Sequence, residues 1–100
     1  MVGHIVMWKL KENAEGRSAA ENGKIMQKML EALPGLIPEL RTLVVSTDIV
    51  ASSPETEVVL YTVFDSTEDL KTYQVHPEHQ KVVAFVSAVA AERRMVDYTF

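Results

Sequence analysis

The feature that most constrains this chain is a set of strand-like segments that are apolar on both faces. In an extended backbone successive side chains point to opposite sides. Across residues 2–10 (VGHIVMWKL), Val2, His4, Val6, Trp8 and Leu10 therefore share one face, and Ile5 and Met7 the other. Residues 56–65 (TEVVLYTVFD) repeat the pattern, with Val58, Leu60 and Phe64 on one side and Val59, Tyr61 and Val63 on the other. An antiparallel sheet with one wet face would alternate apolar with polar residues. Both faces of this sheet need cover.

The remaining elements limit what that cover can be. Ser18-Ala19-Ala20-Glu21 has capping-box spacing, and the helix it opens is expected to run to about Leu33. Its apolar stripe is Ile25, Met26, Met29, Leu30 and Leu33, Gly23 weakens it, and Pro34-Gly35 ends it. β-Branched residues at 39–51 predict a second strand, and Ser52-Ser53-Pro54-Glu55 a turn before the third. Ser66, with Asp69 three residues on, caps a short helix whose inner face carries Leu70 and Tyr73. His76-Pro77 breaks it, because proline disfavours helix in the residue before it and suits a first helical turn. A further helix is expected over Pro77–Arg93, with His79, Val82, Val83, Val86, Val89 and Ala90 facing inward, and a closing strand over Met95–Phe100.

The order β-α-β-β-α-α-β predicts a single α+β domain over residues 1–100, a ferredoxin-like split βαβ with a four-stranded antiparallel sheet. Helices cover one face of such a sheet. A chain this short buries only about 60–70% of its unfolded surface by itself. The second face is therefore expected to meet a second copy, as a homodimeric α/β barrel joined through Ile5, Met7, Val59, Tyr61, Val63, Val96, Tyr98 and Phe100.

Composition removes several function classes. There is no cysteine, hence no disulfide, thiolate nucleophile or zinc–thiolate site. The net charge is −4 and the basic residues are scattered, which argues against a nucleic-acid partner. No apolar run is long enough to cross a bilayer, so no membrane partner is expected. The start Met1-Val2-Gly3-His4-Ile5-Val6 does not read as a signal peptide, and a cytoplasmic protein is expected. There is no glycine-rich phosphate loop and no nucleophile elbow, and neither a cofactor nor a metal is called for.

The chemistry concentrates in three histidines, His4, His76 and His79. One His-x-x-His (His76, His79) is too few ligands for a metal, and His76 reads as a helix cap or polar linker. His79 lies on an apolar stripe, where it is either a satisfied core residue or a general base in a cavity. Tyr73 precedes it by six residues across the helix break, where a kink could bring phenol and imidazole within hydrogen-bond reach. His4 and Asp97 lie mid-strand, and Trp8 reads as core. Imidazole, phenol and carboxylate converging on an apolar pocket would make a ligand site.

His4-Ile5-Val6, Val63-Phe64-Asp65-Ser66, Tyr73-Gln74-Val75-His76-Pro77-Glu78-His79 and Val96-Asp97-Tyr98 together resemble the stress-responsive dimeric α/β-barrel (Dabb) family. The resemblance spans nearly the whole chain and is most specific at the Tyr-x-x-His-Pro-x-His stretch. It implies a ferredoxin-like subunit that dimerises through its sheet. Family functions are diverse and include plant stress-responsive proteins and a plant polyketide cyclase that closes a linear tetraketide by aldol condensation. In the cyclase, residues matching Tyr73 and His79 are the catalytic pair, and residues matching His4 and Asp97 lie at the pocket. The cyclase has a strand-three histidine where this chain has Val58, and the chain looks more like bacterial members without an assigned reaction.

Three functions are thus expected, in order. The first is binding of a small apolar or aromatic carbonyl ligand between sheet and helices, with His4, Val6, Trp8, Val58 and Asp97 at the ligand. The second is a cofactor-free lyase, cyclase or isomerase, in which His79 removes an acidic proton and Tyr73 orients the base or serves the enolate oxygen. The third is a structural stress-linked dimer. Side chains filling the space between Tyr73, His79, His4 and Asp97 would leave only the third.

Overall fold

The computed structural model describes residues 1–100. Its elements are β1 (Val2–Leu10), β2 (Asn13–Ala14), β3 (Arg17–Ser18), α1 (Ala19–Glu31), β4 (Thr42–Ser46), β5 (Val58–Phe64), α2 (Thr67–Val75), α3 (Pro77–Val89) and β6 (Ala90–Thr99). The main sheet has the order β4-β5-β1-β6 and is antiparallel throughout. With the helices on one face, this is the α+β ferredoxin-like arrangement.

Directly opposed residues of antiparallel strands share a face. His4 pairs with Thr62 and Asp97, and Trp8 with Val58 and Arg93. These residues look toward the helices. Val2, Val6, Trp8, Leu10, Val58, Leu60 and Phe64 from the sheet form one buried core with Met26 and Leu30 of α1, Leu70 and Tyr73 of α2, and Val82, Val86 and Val89 of α3. Full burial of each such aliphatic side chain contributes roughly 1.5–3 kcal/mol. Thr62, on the same face, is satisfied by donating to the His4 carbonyl at 3.1 Å.

The opposite face carries Ile5, Met7, Val59 and Tyr61 half-buried, and Val44, Val96, Tyr98 and Phe100 exposed. Tyr98 lies across Gly3, where a Cβ would stand 2.5 Å from the ring. Only glycine leaves the tyrosine that seat.

Local chemistry accounts for the helix boundaries. Ser18 and Glu21 form the expected reciprocal capping box at α1. Ser66 caps α2 through the Asp69 N–H. His76 ends α2 and caps α3, its Nδ1 accepting from the Glu78 N–H at 3.1 Å, with Pro77 in the first turn.

Four boundaries differ from the sequence expectation. The second strand stops at Ser46 instead of 51, because its partner β5 begins at Val58 and Ser46 already pairs with Val59. The Ser46 hydroxyl then accepts the Asp48 N–H and turns the chain away, leaving Val50 in solvent. α1 ends at Glu31, and Leu33 is buried in the turn that follows. α3 ends at Val89 and β6 begins at Ala90, although Ala90-Ala91-Glu92-Arg93-Arg94 are good helix formers. Ladder pairing along the whole of β1 overrides that propensity. Finally, β2 and β3 form a small unforeseen hairpin, turned by Glu15 and Gly16 at φ 54° and 73°. Buried Asn22 holds it by donating to the Ala14 carbonyl and accepting from Arg17 Nε, both at 3.0 Å.

Candidate functional site

Between the helix-facing side of the sheet and α2–α3 the side chains do not close up. A cavity of about 300 Å³ remains, at the small end of the range of ligand clefts. His4, Val6 and Trp8 of β1, Leu60 of β5 and Leu30 of α1 form its floor and inner wall. Val82, Val83, Val86 and Ser87 of α3, with Gln74, His79 and Arg93, complete it. The space expected between sheet and helices is open.

The helix break at His76-Pro77 sets the state of His79. In an unbroken helix the Gln74 carbonyl would accept the Glu78 N–H. Here Glu78 donates to His76 instead, and the Gln74 carbonyl accepts from His79 Nδ1 at 3.1 Å and from Gln80 Nε2 at 2.7 Å. A carbonyl only accepts, so Nδ1 carries the proton and Nε2 keeps its lone pair. Burial pushes this imidazole below its ordinary value of 6.5; the Gln74 bond opposes the shift, and the neighbouring positive charge of Arg93 adds to it.

His4 is fixed in a similar way from the other side. Its Nδ1 meets Asp97 Oδ1 across the β1–β6 pair. A carboxylate also only accepts, which again leaves Nε2 without a partner within the chain. Asp97 thus stands behind His4 and does not wall the cavity.

Tyr73 is fully buried next to the cavity. Its ring packs at a tilt against His79, with centroids 4.3 Å apart, and against Phe64 at 5.0 Å. The phenol–imidazole hydrogen bond that a kink could allow is not made: the Tyr73 hydroxyl has no partner, and neither has the buried Trp8 Nε1. Burial pushes the Tyr73 phenol well above its ordinary range, so it stays protonated. Two buried donors without acceptors next to one cavity are uncommon, since buried polar groups are nearly always paired.

Of the residues anticipated from sequence, His4, Val6, Trp8 and His79 line the cavity, while Tyr73 and Asp97 support it from behind. Val58 does not reach it. It packs in the core beside Gly23, 3.7 Å from where that residue's Cβ would be. The polar lining residues Gln74, Ser87 and Arg93 were missed. Arg93 had been placed at the end of a helix, and only strand parity with Trp8 puts it on the cavity side. His76 serves as a cap, and no group of three or more metal-ligating side chains assembles around the His-x-x-His pair.

No helix is long and apolar enough to cross a membrane. No curated protein matches the chain. Among solved structures, a dimeric ferredoxin-like protein of unknown function from Bacteroides fragilis is 30% identical, with TM-score 0.81, covering 99% of this chain and 95% of its own. A dimeric ferredoxin-like protein of unknown function from Thermobifida fusca is 20% identical, with TM-score 0.82 and coverages of 99% and 90%. Another, from Jannaschia, is 23% identical, with TM-score 0.77 and coverages of 99% and 98%. The last two show the same fold. The profile of the family described as the stress responsive A/B barrel domain matches residues 2–100. The chain therefore belongs to the stress responsive A/B barrel domain (Dabb) family.

Proposed function

We propose that this protein binds a small apolar or aromatic carbonyl compound in the cavity between sheet and helices, and that it does so as a homodimer joined through the outer sheet face. The observation that carries the reading is an apolar cavity bordered by two imidazoles, each held through its Nδ1, beside two buried donors that lack acceptors. Apolar walls supply affinity and a few placed polar groups supply orientation. Trp8 lines the cavity and its Nε1 donor has no acceptor in the chain, which a ligand carbonyl oxygen would supply.

A second reading, turnover of that ligand, is favoured by one specific observation. His79 lines the cavity and keeps Nε2 unprotonated near neutral pH, because Gln74 holds the proton on Nδ1 and burial disfavours a second one. Such a group removes a proton from carbon next to a carbonyl. The enolate oxygen that forms would draw on the unpaired Trp8 N–H, while Tyr73, packed against His79 from behind, orients the base. His4, held by Asp97, is a further polar contact. No cofactor enters this scheme.

The test is a thermal-shift screen of small carbonyl and aromatic compounds in D₂O, with each hit recovered and weighed by mass spectrometry. A ligand at a hundred times its Kd stabilises by about 2.7 kcal/mol, which for a 100-residue chain is a rise of roughly 10–20 °C. Val83→Trp, at the half-open rim of the cavity, should abolish the shift without lowering the unliganded Tm. A hit recovered unchanged supports binding alone. Deuterium next to its carbonyl, lost in His79→Gln, supports turnover. Equal shifts in wild type and Val83→Trp would place the ligand elsewhere and end both readings.

A further inference from the structure

We propose that the ligand of this cavity is an anion, a small aromatic or alkyl carboxylate whose head group is taken by Arg93. This rests on the reading of the cavity as a ligand site and adds the charge of what it takes. The chain has four arginines. Arg41 is paired with Asp65 at 2.8 Å, Arg94 lies 3.7 Å from Glu92, and Arg17 donates to Asn22 and covers the Phe85 ring. The Arg93 side chain alone makes neither an ion pair nor a hydrogen bond within the chain, and it alone lines the cavity. Alternation along β6 separates the two adjacent arginines. Arg93 sits opposite Trp8 on the helix-facing side, and Arg94 sits opposite Met7 on the other.

The surroundings leave that guanidinium free for a ligand. No aspartate or glutamate lines the cavity, although the chain carries 14 of them and a net charge of −4. Asp97, behind the wall, is engaged by His4. The remaining polar lining, Gln74 and Ser87, is neutral. An otherwise acidic protein thus presents an unpaired cation at the mouth of its apolar cavity. The planar fork of an arginine matches a carboxylate through two parallel hydrogen bonds, which an ammonium cannot copy. The apolar part of the ligand would lie among Val6, Leu60, Val82 and Val86. The charge of Arg93 also reaches His79, where it contributes to holding the imidazole unprotonated, so head-group recognition and the state of the base are linked at one site.

Matched acid and amide pairs test this, because they differ in charge and hardly in shape: benzoate and benzamide, phenylacetate and phenylacetamide, 3-phenylpropanoate and its amide, hexanoate and its amide. Each is titrated by calorimetry into wild type, Arg93→Met, Arg93→Lys and Val83→Trp. At least one acid should bind wild type about tenfold or more tighter than its amide, the range of a charge-assisted hydrogen bond. That preference should vanish in Arg93→Met, persist in part in Arg93→Lys, and shrink as salt is raised. Arg93 is exposed and holds no other residue, so the Arg93 variants should melt with wild type. If every amide that binds does so as tightly as its acid, the anion assignment is overturned and the cavity remains a ligand site. An acid preference that survives Arg93→Met overturns the role of Arg93. If no member of any pair binds, or if Val83→Trp binds them all as wild type does, the ligand site falls and the anion with it.

Discussion

Tyr73 is the residue whose chemistry is least explained by folding. Its ring is a core aromatic between Phe64 and His79, yet its hydroxyl is buried with nothing to bond. Leaving such a group unpaired costs roughly 1–3 kcal/mol, whereas removing it with its shape preserved is close to neutral. Tyr73→Phe should therefore melt at or a few degrees above wild type. A Tm loss of several degrees would instead show that the hydroxyl is bonded in solution. His79 makes a second prediction, in pH. Its folded imidazole is held below the ordinary 6.5 by burial, so in acid the unfolded chain binds the extra proton first. Stability then rises with pH across the window below 6.5 and is lost as pH falls through it. Melting curves from pH 7.5 down to 5 should show that loss, and His79→Gln should show a shallower one. Equal slopes would mean the imidazole titrates alike folded and unfolded. At this scale the sequence was partly legible. Alternation placed His4, Val6 and Trp8 together, and the helix stripe added His79. Arg93 was hidden because its side of the sheet depends on where β6 begins, which is set by pairing with β1 rather than by local propensity.

Among the elements, the helix starts were readable because capping is local chemistry: Ser18 with Glu21, Ser66 with Asp69, and Pro77 after His76 all act within a few residues. The ends of β4 and α3 were not, since each is decided by a partner distant in sequence. Gly23 in α1 illustrates the same division. Read alone, it weakens the helix. Folded, it is buried, and an added Cβ would meet Leu10, Thr47 and Val58 at 3.6–3.7 Å, ordinary packing distances. Nothing in the fold requires glycine there. Gly23→Ala should stabilise the protein by about 0.5–1 kcal/mol, read as a higher midpoint in urea with unchanged slope. A lower midpoint would mean that the helix cannot absorb even one methyl against β1 and β5.

For the whole molecule the decisive feature is the apolar outer face of the sheet. Val44, Val96 and Phe100 are 55%, 48% and 63% exposed there, beside the Tyr98 ring seated on Gly3. Apolar side chains gathered on one surface are the mark of an interaction site, and the related structures are dimeric ferredoxin-like proteins. Val44→Glu with Val96→Glu should turn a dimer into a single chain by light scattering at micromolar concentration, with a lower Tm. Both positions are solvent-exposed within one chain, so a pair of copies that persisted would move the contact to another surface. The reading of two-sided strands foresaw this face directly, because a sheet cannot hide its own alternation. The same pleat has a further consequence. Along β1 and β6 the neighbours His4 and Ile5, or Asp97 and Val96, look into different compartments of one thin partition. Whatever guest prefers the associated chains over a solitary one must, by thermodynamic reciprocity, draw those chains together by an equal factor.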